Sequence, residues 1–376
     1  MRGRVDVQSS LFAYVDLESK VPSTHPLRRI RNICDTALRR MDSQLTAVYE
    51  SSGRPSVPPE QLLKGCILQI MYGVRSERQL CEQIEYNMLY RWFLGMGLDE
   101  SAWDHSVYTR NRDRLLNREI ARQFLGEVVS QARKHGFVSK DHFSVDGTLL
   151  QAWASTKSLE PLKDPDDPPD AGSGSGIQES RPVGRDALRN FRGQTFGNQT
   201  HRSVTDPDAR LARKGDKVGA KMSYLANALM ENRSGLVVDG EVRLASGDGG
   251  ETAAAESMLY RKGGTHRITL GADKGYDTKD FIESLERMNV CPHVAQNCNA
   301  YRSSSVPDRV SRSAGYSKSI RVRKRIEEVF GWIKQSAGLR QVKVRGKRAV
   351  EALTLMAFAA YNLVRINTLM AEPRPI

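Results

Sequence analysis

The sequence predicts an α/β protein in which an all-helical module precedes a mixed five-stranded sheet flanked by helices. Three observations support this. Between residues 25 and 135, apolar residues recur at helical spacing, punctuated by glycine, proline and capping residues. Just after Phe137 the period falls to two, as a half-buried strand requires. Beyond that point short strand-like runs alternate with helical ones, except across one long polar interruption at 155–220.

A chain of 376 residues can form one large domain or two ordinary ones. A hydrophobic fraction of 39% and an aromatic fraction of 7% suit a soluble protein that carries some weakly structured sequence. The net charge of +13 and pI of about 9.6 point to a polyanion, nucleic acid before membrane. The longest apolar run, 352–364, is short for a bilayer and is interrupted by Thr354 and Asn362. The opening Met1-Arg2-Gly3-Arg4 lacks the apolar stretch of a secretory signal. Five scattered cysteines, an odd number, argue for free thiols; Cys291-Pro292-His293 with Cys298 has no second pair at zinc spacing. A reduced, cytoplasmic protein is expected.

Taken in order, residues 1–24 read as a flexible segment. A helix over 25–41 turns Leu27, Ile30, Ile33 and Leu38 inward and its arginines outward. Gly53-Arg54-Pro55 breaks the pattern, and Pro58-Pro59-Glu60 opens a helix that ends at Gly73. Ser76 caps the next, with Leu80, Ile84 and Met88 at period four; Gly95 and Gly97 end that run. Asp104-His105-Ser106 begins a helix bearing Arg110, Arg112 and Arg114, which lie two apart and so spread around it. The rhythm of 25–135 suits a DNA-binding module, and equally a plain helical bundle.

Residues 142–150 alternate, with Phe143 and Val145 on one face and Asp146 on the other. Asp146 before Gly147 is also what a plain turn would show. Residues 155–220, rich in Pro, Gly and isolated charge, read as a long mobile insertion, basic through Arg181, Arg185, Arg189, Arg192, His201 and Arg202. Strands follow over 224–231 and 235–244, where Asp239-Gly240 is a hairpin signal. Next come an alanine-rich helix over 250–262, a buried strand ending at Asp273, a helix over 278–288 and a short strand over 290–294. Asp277 and Asp280 read as favouring that helix's N-terminus, Asp239 and Asp248 as turn residues, and Asp141 as solvated. A polar loop at 301–319 leads to a helix over 323–334 and a buried helix over 349–369.

This element order is that of the RNase H-like fold, where the first and fourth strand ends lie side by side and a late helix crosses them. Asp146, Asp273 and Glu327 occupy those three places. Three carboxylates meeting at one point repel unless divalent cations relieve them. Their oxygens suit Mg²⁺ or Mn²⁺, two ions of which can clamp a phosphate for in-line displacement. On an ideal helix, Glu327 and Lys334 fall about 40° and about 20° from Arg323, one narrow stripe of mixed charge. Ile326, Val329, Phe330 and Ile333 form the adjoining apolar face, and Glu328 points away from both. A salt-bridged surface helix would also show such a stripe.

These segments resemble the bacterial DDE-class insertion-sequence transposases of the broad IS-four and IS-five group. Val145-Asp146-Gly147-Thr148 matches the first acidic motif, Ala272-Asp273-Lys274-Gly275-Tyr276 the second, and Arg323-Lys324-Arg325-Ile326-Glu327 with Lys334 the third. Arg54-Pro55-Ser56-Val57-Pro58-Pro59-Glu60, residues 104–114, Asp206-Pro207-Asp208-Ala209-Arg210 and residues 229–235 also look like the group's sequences. One position departs: the family places tyrosine three before Arg323, where this chain has Ile320, and Tyr316 is out of register.

The resemblance implies an RNase H-like catalytic domain over 136–376, a DNA-end-binding module over 25–135, and catalysis at Asp146, Asp273 and Glu327 with two Mg²⁺ or Mn²⁺ ions. It implies phosphate contacts from Arg323 and Lys334 and DNA contacts from Arg110, Arg112 and Arg114. The expected partners are terminal inverted repeats, target DNA and a second copy on paired ends, in a bacterial cytoplasm, nucleoid-associated when bound to DNA. Trp332 could stack on a base or pack within the fold. A catalytically silent DNA-binding relative and another RNase H-like nuclease are the alternatives. All three acids being present speaks against the first, and the helical module with Arg323 and Lys334 speaks against the second.

Overall fold

Polar caps and proline set where the first helices begin. The computed structural model describes residues 14–49, 56–162, 197–213, 219–247, 249–298 and 303–371. Asp16 caps α1 (Leu17–Lys20), and Pro26 opens α2 (Pro26–Arg40), which is followed by α3 (Asp42–Thr46). Pro59 opens α4 (Pro59–Met71), Ser76 caps α5 (Glu77–Tyr86), and Asn87 caps α6 (Met88–Leu94), which ends at left-handed Gly95. Asp104 caps α7 (His105–Leu115) and Asn117 caps α8 (Arg118–Lys134). The expectation of a flexible start is corrected over 14–24: Glu18 on α1 pairs with Arg28 and accepts the Trp92 indole N–H at 2.7 Å. Residues 1–13, Arg54 and Pro55 lie outside the described residues.

The main sheet is built on β1 (His142–Gln151). After β2 (Leu159–Pro161), β3 (His201–Ser203) and β4 (Arg210–Ala212) come the long β5 (Lys221–Glu231) and β6 (Val237–Leu244). Then follow α9 (Gly250–Lys262), β7 (Ile268–Ala272), α10 (Lys279–Arg287) and β8 (Val290–Val294). β6 and β4 both pair with β5, and beyond it the order runs β5, β1, β7, β8. β5 is antiparallel to β1 and β6, whereas β7 and β8 run parallel to β1. That is the RNase H-like mixed sheet of five strands, with short β4 added as a sixth.

Alternation along each strand divides the core. Leu150, Ala226, Ala228 and Met230 face the helices of the N-terminal module and the long C-terminal helix α14 (Lys347–Ala371). Phe143, Val145, Leu229 and Leu270 face α9 and α10. α14 packs against α8, α4 and α2 as well as β6. It is long and apolar enough to cross a bilayer, contrary to the estimate from the shorter run, but 78% of its apolar window is buried inside this fold. Arg122 on α8 strengthens the joint, reaching Asp239 at 2.5 Å and the buried Glu351 on α14 at 2.7 Å.

Several local expectations change. Asp239-Gly240 is not the hairpin turn: both lie inside β6, paired with Leu229 and Ala228, and the chain reverses before them, with Gly235 at φ 74°. The glycine is required by packing, because a Cβ at 240 would stand 2.6 Å from Cε2 of Phe358. Asp239 is an ion-pair partner of Arg122 and Arg261. The polar stretch at 301–319 is helical over α11 (Asp308–Ser311) and α12 (Ala314–Val322), since Val306 and Val310 are buried and the Tyr316 hydroxyl donates to the Val294 carbonyl at 2.8 Å.

The expected insertion is ordered at its ends. β2 pairs with β3, and β4 joins β5. Asp206 is fully buried, accepting the Tyr224 hydroxyl at 2.6 Å and the Gly346 N–H at 3.2 Å. Arg181, Arg185, Arg189 and Arg192 lie outside the described residues, as does Asp248.

Gly240→Ala should destabilise the protein by about 1–3 kcal/mol, the usual cost of forcing volume into a packed core. Urea unfolding checks this, and the loss should shrink when Phe358→Leu is present.

Candidate active site

The site begins where two parallel strands part. β1 and β7 pair at His142 with Thr269, Phe143 with Leu270 and Ser144 with Gly271, and no further. Asp146 and Asp273 each lie two residues past that last pair, and at period two they follow the same face as Ser144 and Gly271. Asp146 is half-buried, its Oδ1 accepting the Gly147 N–H at 2.8 Å. Asp273 caps a 3-10 turn, Lys274–Tyr276, by accepting the Gly275 N–H.

The third acid arrives on α13 (Ile326–Gln335), which packs on β1 and α14. Ile326, Val329, Phe330 and Ile333 are buried as expected, each contributing about 1.5–3 kcal/mol of burial, and they set the register of the helix. Glu327 and Glu328 are exposed in its first turn. The single helix over 323–334 is a correction: Arg323–Arg325 form a 3-10 turn between α12 and α13. Each 3-10 residue advances about 120°, so the straight-helix stripe fails between Arg323 and Glu327. It holds from Glu327 to Lys334, within α13. Gly271 lets the turn approach: a Cβ there would lie 3.4 Å from the Cβ of Arg323 and 2.9 Å from Oγ of Ser144.

Burial pushes the Asp146 carboxyl up to about 6; the Gly147 N–H and Arg323 oppose that, while Asp273 and Glu327 add to it. Asp273 and the segment carrying Arg323 and Glu327, both distant in sequence, thus act on one carboxylate. Lys334 is held beside the same strand, its Nζ donating to Oγ1 of Thr148 at 2.6 Å.

A further acid went unnoticed in the sequence. Glu251, in the first turn of α9, has its carboxyl pushed up to about 7 by burial and by Asp146 and Asp273. An acid at a helix start reads as a dipole partner, so its position alone carried no signal.

Among the described residues, no three His, Cys, Asp or Glu side chains are grouped closely enough to hold a metal ion, so Asp146, Asp273 and Glu327 are not gathered into a finished ligand set. The donor chemistry still fits a hard divalent cation. The groups are carboxylates, joined by two buried oxygens without a partner, the Tyr276 hydroxyl and Oδ1 of Asn227.

The N-terminal arginines are not part of this cluster. They lie on α7, which packs on α4 and α5. Arg112 is ion-paired with Glu77 and Asp113, Arg114 lies over the Tyr49 ring at 4.3 Å, and Arg110 is exposed. Trp332 meets Tyr361 edge-on at 5.8 Å, which is packing within the fold. Asp277 does more than favour a helix start: fully buried, it accepts the N–H groups of Asn297 at 2.7 Å and Ser305 at 2.9 Å. All five cysteines are free; Cys34, Cys66 and Cys81 are buried and Cys298 is exposed.

The raised Asp146 fixes a sign. Between its ordinary 3.8 and about 6 the folded protein keeps a proton that the unfolded chain has released, so stability falls as pH rises through that window. In EDTA at pH 7.5, Asp146→Asn should therefore be more stable than the parent protein, on the order of 1–3 kcal/mol. The gap should close as the pH is lowered to about 4. Chemical denaturation across pH reads it, and a less stable Asp146→Asn protein at pH 7.5 would contradict the electrostatic account.

Comparison with known proteins gives two family matches: a Transposase domain (DUF772) over residues 15–114 and a Transposase DDE domain over 193–363. Asp273, Arg323, Glu327 and Lys334 fall in the second, which begins after Asp146. Among solved structures, a piggyBac transposase synaptic complex with hairpin DNA matches at 9% identity and TM-score 0.40, over 93% of this chain and 77% of that one. A Mos1 transposase paired-end complex with left transposon end matches at 12% identity and TM-score 0.20, over 92% and 98%. The mariner Mos1 paired end complex with Mg matches at 12% and 0.19, over the same shares. Likenesses this loose carry no residue-level correspondence. The two family matches, one over the helices of the N-terminal region and one from residue 193 through most of the C-terminal helix, make this chain a member of the DDE-class insertion-sequence transposases.

Proposed function

We propose that this transposase cuts the phosphodiester bonds at the ends of its insertion sequence and joins the freed 3′ ends to target DNA. Asp146, Asp273 and Glu327 are the residues that would hold Mg²⁺ or Mn²⁺, two ions per site. When bound, the ions supply charge neutralisation and polarisation of the phosphate and the attacking oxygen. One observation carries the reading: β1 parts from β7 after Ser144 and Gly271, so that Asp146 and Asp273 each follow the last pair by two residues, and Arg323 packs against Gly271 at the same point.

Water attacks phosphorus at the element's terminus, loses a proton, and the P–O3′ bond breaks to leave a 3′-hydroxyl. That hydroxyl then attacks a target phosphorus, forming the new P–O bond while the target's own P–O3′ bond breaks. Arg323 and Lys334 bind and orient the phosphates. Nε of Arg323 is buried without a partner, a donor available to a phosphate oxygen. Lys334 is steadied by Thr148, two residues past Asp146, which keeps its ammonium close to the scissile group. Residues 25–135 form the end-binding module, where Arg110 and Arg114 contribute phosphate contacts. Arg112 serves through its ion pair with Glu77. Two copies act on paired ends, in the bacterial cytoplasm.

With a supercoiled plasmid carrying the flanking inverted repeats and Mg²⁺, the protein should give site-specific excision or strand transfer. Random nicking would instead indicate a nuclease, and binding without cutting a silent DNA-binding relative. Glu327→Gln should lower cleavage by on the order of 10²-fold or more, because a ligand is lost, whereas Glu328→Gln should stay within a few-fold. The reverse ranking would move the site to the neighbouring acid.

A further inference from the structure

We propose that Glu251 is a fourth carboxylate of the cation site, reaching it from the face of the sheet opposite Glu327. The proposal rests on the reading of Asp146 and Asp273 as cation ligands. α13 approaches β1 on the face of Leu150, whereas α9 lies on the face of Phe143 and Val145. Gly147, between Asp146 and Thr148, turns toward α9. A Cβ at 147 would lie 2.6 Å from Oε1 of Glu251, 2.9 Å from its Cδ and 2.8 Å from Oδ1 of Asn227. Glycine is what lets that carboxylate reach the strand beside Asp146.

Two acceptor oxygens, of Glu251 and Asn227, thus converge beside β1. Asn227 is fully buried, its Nδ2 directed to the carbonyls of Leu225 and Glu241, and its Oδ1 has no partner. The Tyr276 hydroxyl is also fully buried and unpartnered, and among charged neighbours Glu251 acts on it most strongly, then Asp146 and Asp273. A surface acid would have turned to solvent. Here burial keeps Glu251 among other carboxylates, an arrangement a hard cation resolves.

The test is Mn²⁺ binding by the full chain, read as loss of the free-ion electron paramagnetic resonance signal at pH 8 without DNA. Glu251→Gln is nearly isosteric, and Gly147→Ala keeps all four acids while displacing Glu251. Each should weaken Mn²⁺ at least tenfold while melting in EDTA with the parent's cooperativity. Asp146→Asn serves as the comparison. Parent-like Mn²⁺ affinity in Glu251→Gln, with affinity lost in Asp146→Asn, would overturn the role of Glu251 and leave the proposed function standing. Affinity unchanged in all three variants, or no saturable binding by the parent, would overturn both.

Discussion

β1 and β7 stay hydrogen-bonded for three residue pairs and then part, and the acidic groups stand in the fork. Had the pairing continued, Asp146 would have faced a neighbouring strand. Instead, Asp146 stands there with little to neutralise it beyond a backbone N–H and one guanidinium, and burial with neighbouring carboxylates destabilises its charged form.

A strained site needs a rigid surround. α13 is fixed by four buried side chains, and α14 is buried through its middle, from Val350 to Leu363, against the sheet and the N-terminal helices. Arg122 connects α8 to both β6 and α14 through Asp239 and Glu351. The N-terminal helices and the sheet therefore share one apolar core.

The motif segments outside the acidic cluster have physical explanations in the fold. Asp206 buries its carboxylate between Tyr224 and the Gly346 N–H, pinning the end of the insertion to β5. Glu231, also fully buried, accepts the Ser234 N–H at 2.7 Å and shapes the turn into β6. These acids organise backbone, whereas Asp146 and Glu251 face one another's charge.

Asp146, expected at the end of the first strand, lies mid-way along β1, which continues to Gln151 beside β5 after leaving β7; periodicity, caps and element order were enough to read the helical module and the strand succession. Those are properties of local chain geometry, which repeats with the element that bears them. Tertiary structure alone decided the rest. Asp239-Gly240 looked like a turn because a Gly forced by Phe358 resembles a Gly forced by φ. The turn at Arg323–Arg325 and the helices before it were hidden because their apolar contacts are with β7 and β8, distant in sequence. Arg112 looked available until Glu77 came beside it, and nothing in the sequence marked Glu251, which Gly147 admits to the strand beside Asp146. A side chain's period reports the face it occupies; which faces meet depends on long-range pairing, and that is where the charge of this site is assembled.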